Sequence, residues 1–77
     1  MTKTAADSRS HIAGEVRAGL ARKGMTQAQL AEIIGISRPT LNGRLTGDSA
    51  FNTDELFAIA GALDIAFASL WPDEGAA

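Results

Sequence analysis

Between residues 37 and 44 the segment SRPTLNGR gathers two guanidinium groups, a carboxamide and two hydroxyls. Arg38 and Arg44 each carry five N–H donors in a planar fork, and Asn42 offers donor and acceptor on one amide. These groups pair with planar acceptors such as phosphate oxygens and purine edges. The chemistry they point to is recognition by hydrogen bonding, not turnover.

Catalytic alternatives elsewhere are thin. His11 is the only histidine and the chain has no cysteine, so neither a thiolate zinc site nor a disulfide framework is available. Asp54 and Glu55 are adjacent carboxylates, but acids at a helix start are explained by capping and by the helix dipole. No Ser/His/Asp grouping and no glycine-rich phosphate cradle is present. An enzyme, a metal site and a cofactor are therefore not expected.

Five helical segments and no strand are predicted. The first runs from about Ser8 to Lys23, with Ile12, Val16 and Leu20 on one stripe, Ala13 beside it and Gly24 as the stop. The second opens at the cap Thr26, with Gln29 completing a capping box and Met25 placed to pack on Leu30. Leu30, Ala31 and Ile34 form its apolar face, and Gly35 ends it. The third repeats the pattern: Ile36 precedes the cap Ser37, Pro39 sits harmlessly in the first turn, and Leu41 and Leu45 make a narrow buried stripe. Gly47 closes it. Asn52 or Thr53 caps a fourth helix whose Leu56, Ile59, Ala60 and Leu63 face the core, with Gly61 read as a close approach to another helix. Ile65 to Trp71 reads as a short fifth helix stopped by Pro72.

Residues 26 to 47 thus hold two short capped helices around one glycine, the second polar and basic on its outer side. Such a layout places the second helix in a major groove of duplex DNA. On Gln27, Leu30, Ala31, Gly35, Ser37, Leu41, Gly47, Glu55, Leu56, Ile59, Ala60 and Leu63, residues 25 to 70 resemble the phage Cro and cI repressor type of helix-turn-helix domain, the XRE-like family. The resemblance implies an all-α, four- to five-helix bundle of the lambda-repressor-like type. It also implies roles: Gln27 touches a phosphate and braces the reading helix, Ser37 caps it, and Arg38 and Pro39 face base edges. Thr40, Asn42, Gly43 and Arg44 flank the groove or the phosphates. Two departures stand out. Arg44 and Leu45 replace an aromatic or aliphatic residue followed by Glu, which frees Arg44 for DNA. Gly43 offers no side chain where many relatives carry a long polar one.

The formal net charge of −2 looks unsuited to a polyanion, but its distribution answers the objection. All seven basic residues precede position 48 and meet only three acids there, giving +4; residues 48 to 77 hold six acids and no Lys or Arg, giving −6. Local potential governs phosphate attraction, so one end can bind DNA. The expected organisation is one helix-turn-helix domain over 8–71, with flexible tails at 1–7 and 72–77. No signal peptide and no run of about 20 apolar residues is seen, so a cytoplasmic setting is expected, in a bacterium or phage-infected host, with no membrane partner. The expected partner is a double-stranded operator, bound by a small phage or prophage repressor without a small-molecule effector. Phe67, Leu70 and Trp71 are the expected homodimer contacts; the competing expectation is that Trp71 caps the monomer core. The rival function is an antitoxin-like protein-interaction module working through the acidic half.

Overall fold

The computed structural model describes residues 5–70, with side chains from Ser8 onward. Four α-helices, α1 (Ala5–Lys23), α2 (Gln27–Ile34), α3 (Arg38–Thr46) and α4 (Thr53–Leu63), are followed by a 3₁₀ turn at Phe67–Leu70. No strand occurs among the described residues. The helix start lies three residues before the expected Ser8, and the expected fifth helix is reduced to that single 3₁₀ turn.

The helix boundaries have local chemical causes. The Thr26 hydroxyl accepts from the Gln29 N–H at 3.0 Å while the Gln29 side chain accepts from the Thr26 N–H at 2.8 Å, a complete capping box. Asn52 and Glu55 repeat it at α4, at 2.8 and 3.1 Å, which settles Asn52 over Thr53 as the cap. Ser37 caps α3 by accepting from the Thr40 N–H at 3.2 Å, with Pro39 in the first turn. At the other ends Gly24, Gly35, Gly47 and Asp64 take left-handed backbone, φ 62°, 79°, 91° and 55°. The next residue in each case, Met25, Ile36, Asp48 or Ile65, donates its N–H five residues back at 2.9–3.0 Å. This closure satisfies carbonyls that a helix end otherwise leaves open.

The core is one cluster drawn from all the elements. Ile12, Val16 and Leu20 of α1, Leu30 and Ala31 of α2, Leu41 and Leu45 of α3, and Leu56, Ile59 and Leu63 of α4 are buried together. Helix α1 packs on α3, α4 and the 3₁₀ turn, and α2 packs on α3 and α4. Each fully buried Leu contributes on the order of 2 kcal/mol through removal from water. That burial holds α3, which is too short and too rich in poor helix formers to persist alone.

Two expectations are corrected. Leu70 is fully buried in the monomer core, so it is not available as a dimer contact; the chain needs it to close the end of the cluster formed by α1 and α4. Phe67 is half-buried and stacks on Phe57, ring centroids 4.3 Å apart, while Trp71 lies outside the described residues, as do the tails 1–4 and 72–77. Gly61 is exposed with nothing within 4 Å of where a Cβ would stand. The close approach belongs to Gly19 of α1 instead, whose Cβ would meet Leu63 Cδ1 and Ile65 Cδ1 at 3.0 Å.

These environments order the glycines by substitution. Gly61→Ala and Gly14→Ala, both helical with open space around them, each stabilise by about 0.5–1 kcal/mol, a few degrees in melting temperature. Gly19→Val destabilises by about 1–3 kcal/mol through overpacking. Thermal melts followed by circular dichroism check the order, and a Gly61→Ala melt below that of Gly19→Val contradicts the packing.

Candidate nucleic-acid interface

Helix α3 presents its residues around the axis at about 100° each. Leu41 and Leu45 point inward, and by the same spacing the exposed residues share an outer, flanking arc about 60–160° round from Leu41. Arg38, Pro39 and Asn42 lie exposed on that arc, with Gly43 half-buried beside them. Among the described residues Arg38 and Asn42 make no hydrogen bond or ion pair, so their donors and acceptors are available to a ligand. Ser37 is exposed but occupied: its Oγ donates to Thr40 Oγ1 at 2.8 Å while accepting from the Thr40 N–H. Thr40, half-buried, is thereby tied to the cap and less free to reach outward. Gln27 is the first residue of α2 and half-buried, next to the cap Thr26. The first turns of α2 and α3 leave unbonded N–H groups of the kind that favour phosphate.

Arg44 departs from the sequence expectation. About 120° around the axis from Arg38, it is turned away from the outer arc and toward the start of α4. Its Nε donates to Glu55 Oε1 at 2.8 Å and its Nη2 to Glu55 Oε2 at 3.0 Å, a bidentate pair. Nη1 donates to Ser49 Oγ at 2.8 Å. The two side chains are only 19% and 7% exposed. The absent aromatic at this position is thus replaced by an ion pair, and Arg44 is not the free outward cation that its residue type suggested.

Electrostatics follow from this geometry. The Arg44 guanidinium holds the Glu55 carboxyl below the usual carboxylate range, assisted by the Asn52 N–H and opposed by burial. The same hydrogen bond raises Arg44 further above its already high value. Asp64, exposed, is held low by its hydrogen bond from Lys23. Because the folded Glu55 value lies below the unfolded one, its contribution to stability is present above the ordinary Glu range. That contribution is lost as pH falls through the lowered value.

Sequence reasoning missed two other arginines. Arg9 Nη1 donates to the Gly47 carbonyl at 3.0 Å, and Arg17 Nη2 donates to the Leu45 carbonyl at 2.9 Å. Both come from α1 and close the C-terminal end of α3, satisfying its last carbonyls and opposing its negative dipole end. The signal was present: Arg9, Ala13 and Arg17 share one line of α1 at four-residue spacing, with Ala13 buried between the two arginines. His11 is half-buried, its Nε2 2.9 Å from the Ser69 carbonyl.

Comparison with known proteins agrees with this arrangement. A family model described as helix-turn-helix matches residues 16–70. The fold is similar to the solution structure of the SOS-response transcriptional repressor LexA from Eubacterium rectale, with a TM-score of 0.77 and 23% sequence identity. That likeness covers 96% of this chain and 77% of the other. At this identity the likeness speaks for the fold alone. No curated protein sequence matches the chain.

Removing the Glu55 charge tests the brace. Glu55→Gln is expected to lower stability at neutral pH by about 2–3 kcal/mol, since Arg44 loses its charged acceptor in a largely buried setting. The wild type loses stability as pH drops below about 4, and the variant's acid limb is flatter. Asp64 titrates alike in both proteins, so the difference isolates Glu55. Parallel acid limbs in urea melts across a range of about pH 2.5–7 would count against the pairing.

Proposed function

From the premise that this chain belongs to the helix-turn-helix family, which the match over residues 16–70 establishes, we propose that it reads duplex DNA sequence-specifically with the helix Ser37–Leu45. The coarse assignment, a DNA-binding transcription regulator, comes with the family. The finer reading is carried by one observation: Arg38 and Asn42 stand exposed and unpartnered on the outer arc of a helix whose other side is locked into the core.

The residues take distinct roles in this reading. Arg38 donates a bidentate pair to guanine O6 and N7, worth about 1–3 kcal/mol of discrimination. Pro39 meets the groove with an apolar edge, and Asn42 bonds a base edge or the flanking sugar-phosphate. Gly43 leaves room for close approach of the helix backbone. Gln27 and the free N–H groups at the start of α2 and α3 fix register on the phosphates. Arg44 serves as the brace that orients α3, a role the sequence did not suggest. The protein works as a repressor of the Cro-like or prophage kind, occupying an operator and excluding the transcription machinery.

A symmetric pair on a two-half-site operator, helices about 34–36 Å apart, would bury Phe57, which is 58% exposed and stacked on Phe67. That surface takes the place of buried Leu70 in the expected interface.

Binding-site selection from random duplexes, followed by variants, tests the reading. Arg38→Ala is expected to melt like the wild type and to lose about 10- to 100-fold affinity at a guanine-containing site, with a relaxed preference at that one position. Equal affinities of wild type for selected and scrambled duplexes, or an unchanged preference in Arg38→Ala, would overturn it.

A further inference from the structure

A cleft of about 250 Å³ opens between α1 and the C-terminal end of α3, lined by Arg9, Ser10, Ala13, Arg17, Leu45 and Thr46. The base-reading role of α3 makes no use of it. Arg9 and Arg17 stand about 12 Å apart along the α1 axis, yet their tips converge on carbonyls only two residues apart, Gly47 and Leu45. Each commits one N–H group to its carbonyl, leaving four donors per guanidinium. Among the described residues neither meets a carboxylate. Two converging, uncompensated guanidinium groups beside a concave wall carrying the Ser10 hydroxyl make an oxyanion site.

The end of a helix ordinarily repels an anion through its open carbonyls. Here the two nearest carbonyls already accept from the arginines, so the charge left over in the cleft is positive. We propose that this cleft binds a phosphate group, bridged by Arg9 and Arg17, with Ser10 as hydroxyl donor; the Thr46 hydroxyl already donates to the Gly43 carbonyl at 3.2 Å and only lines the wall. The cleft wall at Thr46 lies on the same outward arc as Arg38 and Asn42, about 12 Å further along α3 than Arg38. With the N-terminal residues of a recognition helix at the base edges, its far end lies toward the groove edge. The source of the phosphate is therefore the duplex backbone at the groove edge beyond the bases that Arg38 reads. This source rests on the DNA-binding reading; the phosphate site itself does not.

The test has two arms. The full chain, ¹⁵N-labelled, is titrated with inorganic phosphate against sodium chloride of equal ionic strength. Saturable shifts of the Ser10, Ala13, Thr46 and Gly47 amides are expected with phosphate alone. They vanish in Ser10→Asp, which fills the cleft with a carboxylate and keeps both arginines, and in Arg9→Gln/Arg17→Gln. They persist in Arg38→Ala. Melting curves within a few degrees of wild type show that the variants fold. In the second arm, log affinity for a selected duplex is plotted against log salt. The steepness of that slope falls by about 0.9 in the cleft variants, the share of a single neutralised phosphate.

Cleft amides that respond alike to phosphate and chloride overturn the site. Specific shifts with an unchanged salt slope support the site and overturn the duplex as its source, assigning it to a free phosphorylated molecule. Failure of the wild type to bind any duplex overturns the DNA reading, and the phosphate titration then decides the site on its own.

Discussion

The bidentate pair between Arg44 and Glu55 is the constraint on which the geometry of α3 depends. Glu55 also accepts from the Asn52 N–H, and Arg44 also donates to Ser49, so helix, loop and the cap of α4 form one network. Charged hydrogen bonds of this kind contribute about 1.5–3 kcal/mol each, but taking both charges out of water costs a comparable amount. The pair is therefore better understood as a device for orientation than for net stability. Hydrophobic contact through Leu41 and Leu45 leaves α3 free to roll on a narrow stripe. A planar fork closed on a carboxylate fixed by its own capping box removes that freedom.

This arrangement changes where the positive potential arises. Arg44 is neutralised by Glu55, so Arg38 is the one uncompensated cation of α3 among the described residues. The remaining charge on that side of the molecule sits on α1, where Arg9 and Arg17 reach the far end of α3. Arg38 apart, the positive charge near the recognition helix thus lies along its flank, on α1, instead of upon it. For a chain with a net charge of −2, local placement of this kind matters more than the sum, because fields from exposed charges fade over roughly 10 Å at ordinary salt.

Much of this was legible in the sequence because it is written in local chemistry. The caps Thr26, Ser37 and Asn52 and the left-handed glycines at 24, 35 and 47 depend on neighbours within a few residues, and the core stripes follow the helical period. Tertiary partnerships were harder. Glu55 was read through its own helix start, which explains one of its bonds and says nothing of Arg44, eleven residues away. Arg9 and Arg17 point to carbonyls 38 and 28 residues distant, and backbone acceptors leave no side-chain signature in a sequence. Gly19 and Gly61 look alike as helical glycines; only the approach of Leu63 and Ile65 distinguishes them. Leu70 resembled a surplus apolar residue because a 3₁₀ turn has too few residues to show a buried face.

A recognition helix with few reading side chains places unusual weight on its supports. With Gly43 bare and Arg44 turned inward, Arg38 and Asn42 are the unpartnered polar side chains left on the outer arc to discriminate between bases. A single bidentate pair supplies about 1–3 kcal/mol, and only when donor and acceptor edges align. Small rotations of α3 would spread that energy over several base steps. Anchoring both ends of the helix answers this requirement: the Ser37–Thr40 cap at one end, Arg9, Arg17 and the Arg44–Glu55 fork toward the other. Rigidity compensates for a sparse reader, and the charges turned into the fold are the ones that make the remaining outward contact selective.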